Sequence, residues 1–338
     1  MNTAKERSGL QKVLRSRDFF TLCLLVAVFL FSFMLSDSFH DLAYILKCAT
    51  RYVELGMVAY TMTFIIITGM IDLSAPAIMC TSATIAALLN QAGAPMGLCI
   101  VVAFLVGLGL GAINGTLVAV AQLPAMIATI GTMNAFRGIA QILIGDKSVS
   151  GLPKWFLSVE KRPVFMIGKA NFSVTLLLFI ILGIIAYIIL HKTGFGRKIY
   201  GIGTNEQAVI AAGVSSRKIK FGLFCASGMM CSLAGLLTMS RLQLVRYDMA
   251  LNQEIEIITM VLLGGADING GSGGILGTIL AVVIVIFLKT GLIVANVTSD
   301  QQTFVMGVLL LVTIVVPNLI HMISTKRLEK EAKKAIQK

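Results

Sequence analysis

Charged residues make up only 13% of this 338-residue chain, against 57% hydrophobic ones, and the mean hydropathy is +0.90. So little polar surface excludes a soluble protein folded around one core, because the apolar side chains outnumber the positions such a core can hide. The residues of common metal and catalytic chemistry are also few. The three histidines, His40, His191 and His321, stand far apart at the ends of apolar runs, which leaves no pair at zinc-ligand spacing. Six cysteines lie in or beside apolar runs with no C-x-x-C pair. They read as small buried hydrophobes, and neither a disulfide framework nor a thiolate metal site is expected. A phosphate-cradling loop needs G-x-x-x-x-G-K-[ST], whereas Gly168-Lys169 is followed by Ala170. The chain is therefore expected to hold no nucleotide, metal or other cofactor and to catalyse no reaction.

What the sequence has is apolar runs. A helix needs about 20 apolar residues to cross about 30 Å of hydrocarbon, and continuous rather than alternating runs point to helices, not a barrel. Ten spans are expected, near Phe19–Leu35, Tyr52–Ile71, Ala77–Gln91, Met96–Gln122, Ala125–Ile144, Ser173–Leu190, Ile219–Met239, Glu254–Leu263, Ile275–Val294 and Gln302–Met322. The fold class is thus all-α and polytopic, with some helices broken or re-entrant. The eighth run is too short to cross alone; it either extends back through Asp248 or is a half-helix, a form tolerated only where protein buries it or it lines a cavity.

Lysine and arginine set the orientation. They gather in the first 18 residues (Lys5, Arg7, Lys12, Arg15, Arg17), in a loop at 191–218 and its continuation (Lys192, Arg197, Lys198, Arg217, Lys218, Lys220), and in a tail at 323–338. With ten spans all three fall on one side, which the positive-inside rule makes cytoplasmic, with both termini. The membrane domain runs over 19–322, and its first span is expected to be retained rather than cleaved. A net charge of +12 then reflects anionic lipid, not nucleic acid. One basic loop, about 145–172, falls outside.

Polar residues inside the runs mark candidate sites, since an ionisable group at membrane depth is costly. Asp72 and Ser74 follow a long apolar run and precede Pro76. They are placed to cap the next helix, to contact a solute, or to serve a gating or inter-subunit contact. Gly107, Gly111 and Gly115 recur at four-residue spacing beside Asn114, a pattern for close helix packing. The span after Pro124 carries Thr129, Thr132, Asn134 and Arg137. These either line a path for a polyhydroxylated solute or bond back to the helix, with Arg137 snorkelling or pairing internally. A glycine-rich break at 262–277 reads as a tight re-entrant turn. Between two spans, a helix from Asn205 to Ala212, capped by Thr204 or Asn205, favoured by Glu206 in its first turn and ended by Gly213, would present a compact knob to a partner.

Four segments carry a resemblance. Gly69-Met70-Ile71-Asp72-Leu73-Ser74, Pro124 to Gly138 with its Ile127-Ala128-Thr129-Ile130-Gly131-Thr132-Met133 core, Asn205-Glu206-Gln207-Ala208 through Gly213, and Leu263-Gly264-Gly265 through Gly277-Thr278 resemble the signatures of ribose-type permeases of bacterial ABC sugar importers. The resemblance implies a permease of the bacterial inner membrane working by alternating access. Its partners would be an ATPase subunit that holds ATP and magnesium, a second permease subunit, identical or paralogous, and a periplasmic sugar-binding protein. Asn205, Glu206, Ala208 and Gly213 would couple to the ATPase, while Asp72, Ser74, Asn114, Thr129, Thr132, Asn134 and Arg137 would serve translocation or gating. Lys154, Lys161, Arg162, Arg241 and Arg246 are expected to meet acidic patches on the binding protein. Trp155 is either a contact there or an interfacial anchor. An ion-coupled secondary transporter is the competing class, with Asp72 as its attractive ion site.

Overall fold

Each expected apolar run folds as a helix over its described residues. The computed structural model describes residues 17–35, 37–160, 162–168 and 170–315. In chain order the helices are α1 Arg17–Leu35, α2 Leu42–Thr50, α3 Val53–Ile67, α4 Ala75–Gln91, α5 Met96–Gly115, α6 Ala125–Ile144, α7 Lys154–Leu157, α8 Val174–Lys192, α9 Gly194–Ala211, α10 Ser216–Leu242, α11 Gln253–Leu263 and α12 Ile275–Val294, followed by α13 Ser299–Val315. Among the described residues, five helices are long and apolar enough to cross a membrane alone: α5 with its π-helical extension Thr116–Val120, α6, α8, α10 and α12. The basic segments before residue 17 and after residue 315 lie outside the described residues.

One element was not expected. Within the 145–172 loop, β1 (Pro163–Ile167) and β2 (Ala170–Ser173) form an antiparallel ribbon in which Phe165 pairs with Phe172, their rings stacked at 4.5 Å. A loop must satisfy its backbone polar groups, and this one does so by pairing with itself.

Helix α10 is the centre of the packing, with α3, α4 and α5 against it. The α5 glycines explain how closely it sits. A Cβ added to Gly107 would stand 2.3 Å from the Gly228 carbonyl oxygen, and one added to Gly228 would stand 2.1 Å from that of Gly107. Backbones this close gain dispersion contacts along their length, as small residues allow in membrane helices.

Two chain breaks interrupt the helices, at 68–74 and 264–274. Helix α3 has 15 residues and α11 has 11, so at 1.5 Å per residue they span about 22 and about 16 Å, short of the hydrocarbon thickness. Helix α11 does not extend back through Asp248, because Ala250 and Asn252 adopt φ of 59° and 61°. It is the half-helix of the two forms expected.

Charges bind the opposite end of α3. The buried Glu54 carboxylate accepts two hydrogen bonds from Arg241 at 3.0 Å and one from Thr238 at 3.2 Å. Nearby, Lys289 pairs with Glu256 and lies 4.9 Å over the Tyr52 ring. These bonds join α3 to α10 and α11 to α12.

Candidate functional site

The segment expected to dock a partner is a short helix with both ends fixed. Asn205 leaves helical geometry at φ −158°, ψ 94°, kinking α9, and its Oδ1 accepts a hydrogen bond from the Ala208 N–H at 3.0 Å. Asn205, of the two candidates, is therefore the cap. At the far end the Gly213 N–H bonds to Ile210 and the Val214 N–H to Val209, with Gly213 at φ +81°. This pairing closes a helix on a left-handed residue that only glycine adopts without strain. Gln207, Ala208, Ile210 and Ala211 are exposed on it, and Ile210, a large apolar residue, is 51% exposed.

Glu206 binds this knob to the start of α10. Its carboxylate accepts from Ser216 Oγ at 2.5 Å and from Lys220 Nζ at 2.7 Å. Partial burial works to raise the pKa of Glu206, and the bonds from Lys220 and Ser216 outweigh it, holding the group below the usual glutamate range. Ser216 was not singled out in the sequence, and Lys220 only as one of the basic residues that set the orientation. The opposite charge of Glu206 and Lys220 across a glycine-closed turn was the available signal.

The first half of α9 rests on the 264–274 break and on the end of α3, just ahead of the 68–74 break. Tyr200 Oη donates to the Gly273 carbonyl at 2.7 Å, and the Gly271 N–H donates to the Ile67 carbonyl at 2.8 Å. Gly203 lies where these strands of backbone meet: a Cβ there would stand 1.8 Å from Ile67 O and 2.4 Å from Gly271 N.

A second cluster gathers Asp72, Ser74, Asn114 and Ser227, all buried. Asp72 Oδ1 accepts from the Ser74 N–H at 3.0 Å and Ser74 Oγ at 2.6 Å, Oδ2 accepts from Ser227 Oγ at 3.3 Å, and Asn114 Nδ2 donates to Ser74 Oγ at 2.6 Å. The cluster ties the 68–74 break to α5 and α10. Asp72 shapes the turn ahead of α4 through Ser74 and gives no bond to the later amides of that helix, so its capping is indirect.

The α6 residues take the helix-bonding alternative. Thr129 donates to Ala125 O at 2.8 Å and reaches Ile71 O at 3.3 Å, Thr132 donates to Thr129 O, and Asn134 to Ile130 O at 3.0 Å. Of these, only Asn134 is exposed. Arg137 donates to the carbonyls of Tyr247 at 2.9 Å and Met249 at 2.8 Å, closing the chain that follows α10. It pairs internally.

On the face with the ribbon, Lys154, Arg162 and Arg246 are exposed, Arg246 beside Asp248 at 3.0 Å. Lys161 lies outside the described residues. Arg241 departs from the expectation of a free surface charge, because its guanidinium is committed to Glu54. The Trp155 side chain is exposed, in edge contact with Phe156.

Residues 44–314 match the family described as branched-chain amino acid transport system / permease component. The chain is similar to the ribose import permease protein RbsC of Bacillus subtilis, at 31% identity over 83% of this chain and 86% of that protein. It resembles the protein of the same name from Haemophilus influenzae at 30% identity over 90% and 94%. A further relative is the autoinducer 2 import system permease protein LsrD of Photorhabdus luminescens, at 29% identity over 88% and 90%. No solved structure matches the chain.

Proposed function

The chain belongs to the permease family just described, and from that premise we propose that it carries a monosaccharide or similar polyhydroxylated solute through the bacterial inner membrane, driven by a separate ATPase. It is a membrane-spanning permease subunit and not a catalytic one. The observation that carries the reading is the exposed 205–212 helix, capped by Asn205, closed by Gly213 and tied by Glu206 to α10, because a knob fixed at both ends transmits a push rather than absorbing it.

In this reading both termini and α9 face the cytoplasm. An ATPase, holding ATP and magnesium, seats on Gln207, Ala208, Ile210 and Ala211. Two permease subunits enclose the path, and a periplasmic binding protein delivers the solute to the opposite face, where Lys154, Arg162 and Arg246 are exposed. ATP binding favours one of two arrangements of the helices only as far as the ATPase holds that arrangement more tightly. The buried Asp72 cluster serves as a gating joint, since its hydroxyls and the Asn114 amide nitrogen bond within the chain.

The test is uptake of a panel of sugars into proteoliposomes that hold this chain with its ATPase and binding protein. ATP-dependent uptake of one class of sugar is expected, abolished by Gly213→Pro or Glu206→Lys while the complex stays assembled. Uptake that needs no ATP and survives both changes would instead identify an ion-coupled carrier.

A further inference from the structure

We propose that Tyr200 and Gly203 are positioning residues that join the ATPase stroke to the two chain breaks. The inference rests on the docking role given to the 205–212 helix. The segment before that helix's kink meets the 264–274 break and the end of α3 at three points. Tyr200 Oη holds Gly273 O at 2.7 Å, Thr204 lies against Gly271, and Gly203 sits against Ile67 O and Gly271 N with no room for a methyl group. The Gly271 N–H bond to Ile67 O at 2.8 Å then ties the 264–274 break to the end of α3. Gly270 completes the junction, since a Cβ on it would stand 2.8 Å from Gly69 N.

The contacts are mostly backbone on backbone. A side chain takes up a displacement by changing rotamer, whereas main chain at van der Waals distance has no such freedom, so a movement of α9 must move both breaks together. The breaks are where α3 and α11 end and α4 and α12 begin, so this movement changes how two pairs of helices meet. Asn205, non-helical between the knob and this segment, sets the angle at which the push arrives.

The experiment compares ATP hydrolysed with solute imported, in proteoliposomes holding the full complex, for wild type, Tyr200→Phe and Gly203→Ala. Tyr200→Phe removes one hydrogen bond and leaves the ring, and is expected to raise the ATP used per solute by about fivefold, the scale of one such bond. Gly203→Ala wedges the junction open and is expected to cut uptake by about tenfold or more while hydrolysis stimulated by the binding protein continues. Hydrolysis and uptake that fall in parallel in Tyr200→Phe, at an unchanged ratio, would overturn the proposal, as would two variants that behave like wild type. Because Tyr200→Phe leaves the backbone untouched, misfolding of Gly203→Ala alone does not decide the matter. If wild-type uptake proves independent of ATP, the docking reading itself fails, an outcome distinct from uncoupling.

Discussion

The two ends of α3 are held by different physics. At Glu54 the neighbours are bound by charged side chains, Arg241 to Glu54 and, across the Tyr52 ring, Lys289 to Glu256. At Ile67 they are bound by main chain, with Gly203, Gly270 and Gly271 admitting three segments of backbone to contact. A side-chain pair can break and re-form with other partners, while a glycine junction moves as one piece. Under the proposed function, the difference assigns transmission to the main-chain junction at the Ile67 end and leaves the charged pairs to hold the Glu54 end.

The largest effect that sharpens this contrast is expected at the charged end. Glu54→Ala leaves Arg241 partly buried without its carboxylate and should cost about 3–5 kcal/mol, whereas Glu54→Leu combined with Arg241→Leu should recover most of it. Thermal unfolding in lipid nanodiscs measures both. A double variant as unstable as the single one would mean that the pair is not what holds this end.

Next in size are changes between the two ends. Gly228→Ala forces a methyl against the Gly107 carbonyl and should lower stability by about 1–3 kcal/mol. Asp72→Ala strips the acceptor from Ser74 and Ser227 and should cost a similar amount, about 1–3 kcal/mol, while Asp72→Asn keeps one acceptor oxygen and should cost less. Equal losses for the alanine and asparagine variants would show that the cluster's hydrogen bonds contribute nothing.

The smallest effect is at the exposed knob. Lys220→Met should change stability by less than about 1 kcal/mol, because the pair is partly solvated. The sign of its pH dependence follows from Glu206, whose pKa is held down in the folded chain. Its contribution is full above the ordinary glutamate range and is lost as pH falls through the depressed value. Titrating Glu206 by infrared difference spectroscopy, with and without Lys220→Met, checks this; a value unmoved by the substitution would contradict it.

The membrane helices were legible because their signal is repeated in every residue. Ala125–Ile144 and Ile275–Val294 fold over the expected bounds. The short helix at 205–212 was also legible, since the capping side chain of Asn205 and the lack of one at Gly213 carry its end geometry. The ribbon at 163–173 was missed because five apolar residues in a loop give little periodicity to read, although Pro163 and Gly168 bracket the first strand. Partners distant in sequence were not legible. Nothing local to Tyr200 announces Gly273, and Arg241 reads as a surface charge until Glu54, 187 residues away, is seen to bind it. The hydroxyls of α6 were legible as unusual and not as satisfied, since whether a threonine bonds to its own helix depends on its rotamer.

The central claim is that the 205–212 helix receives the ATPase. Ala208→Cys places a thiol on its exposed face in a chain in which Cys48, Cys80, Cys99 and Cys231 are buried and Cys225 is half-buried. The decisive measurement is photo-cross-linking from that thiol in native membranes holding the full complex, with and without ATP. The account predicts capture of the ATPase at an efficiency that changes with nucleotide, and protection of the thiol from reagents added on the periplasmic side. A thiol labelled from the periplasmic side, or never cross-linked to the ATPase in an assembled complex, would contradict it.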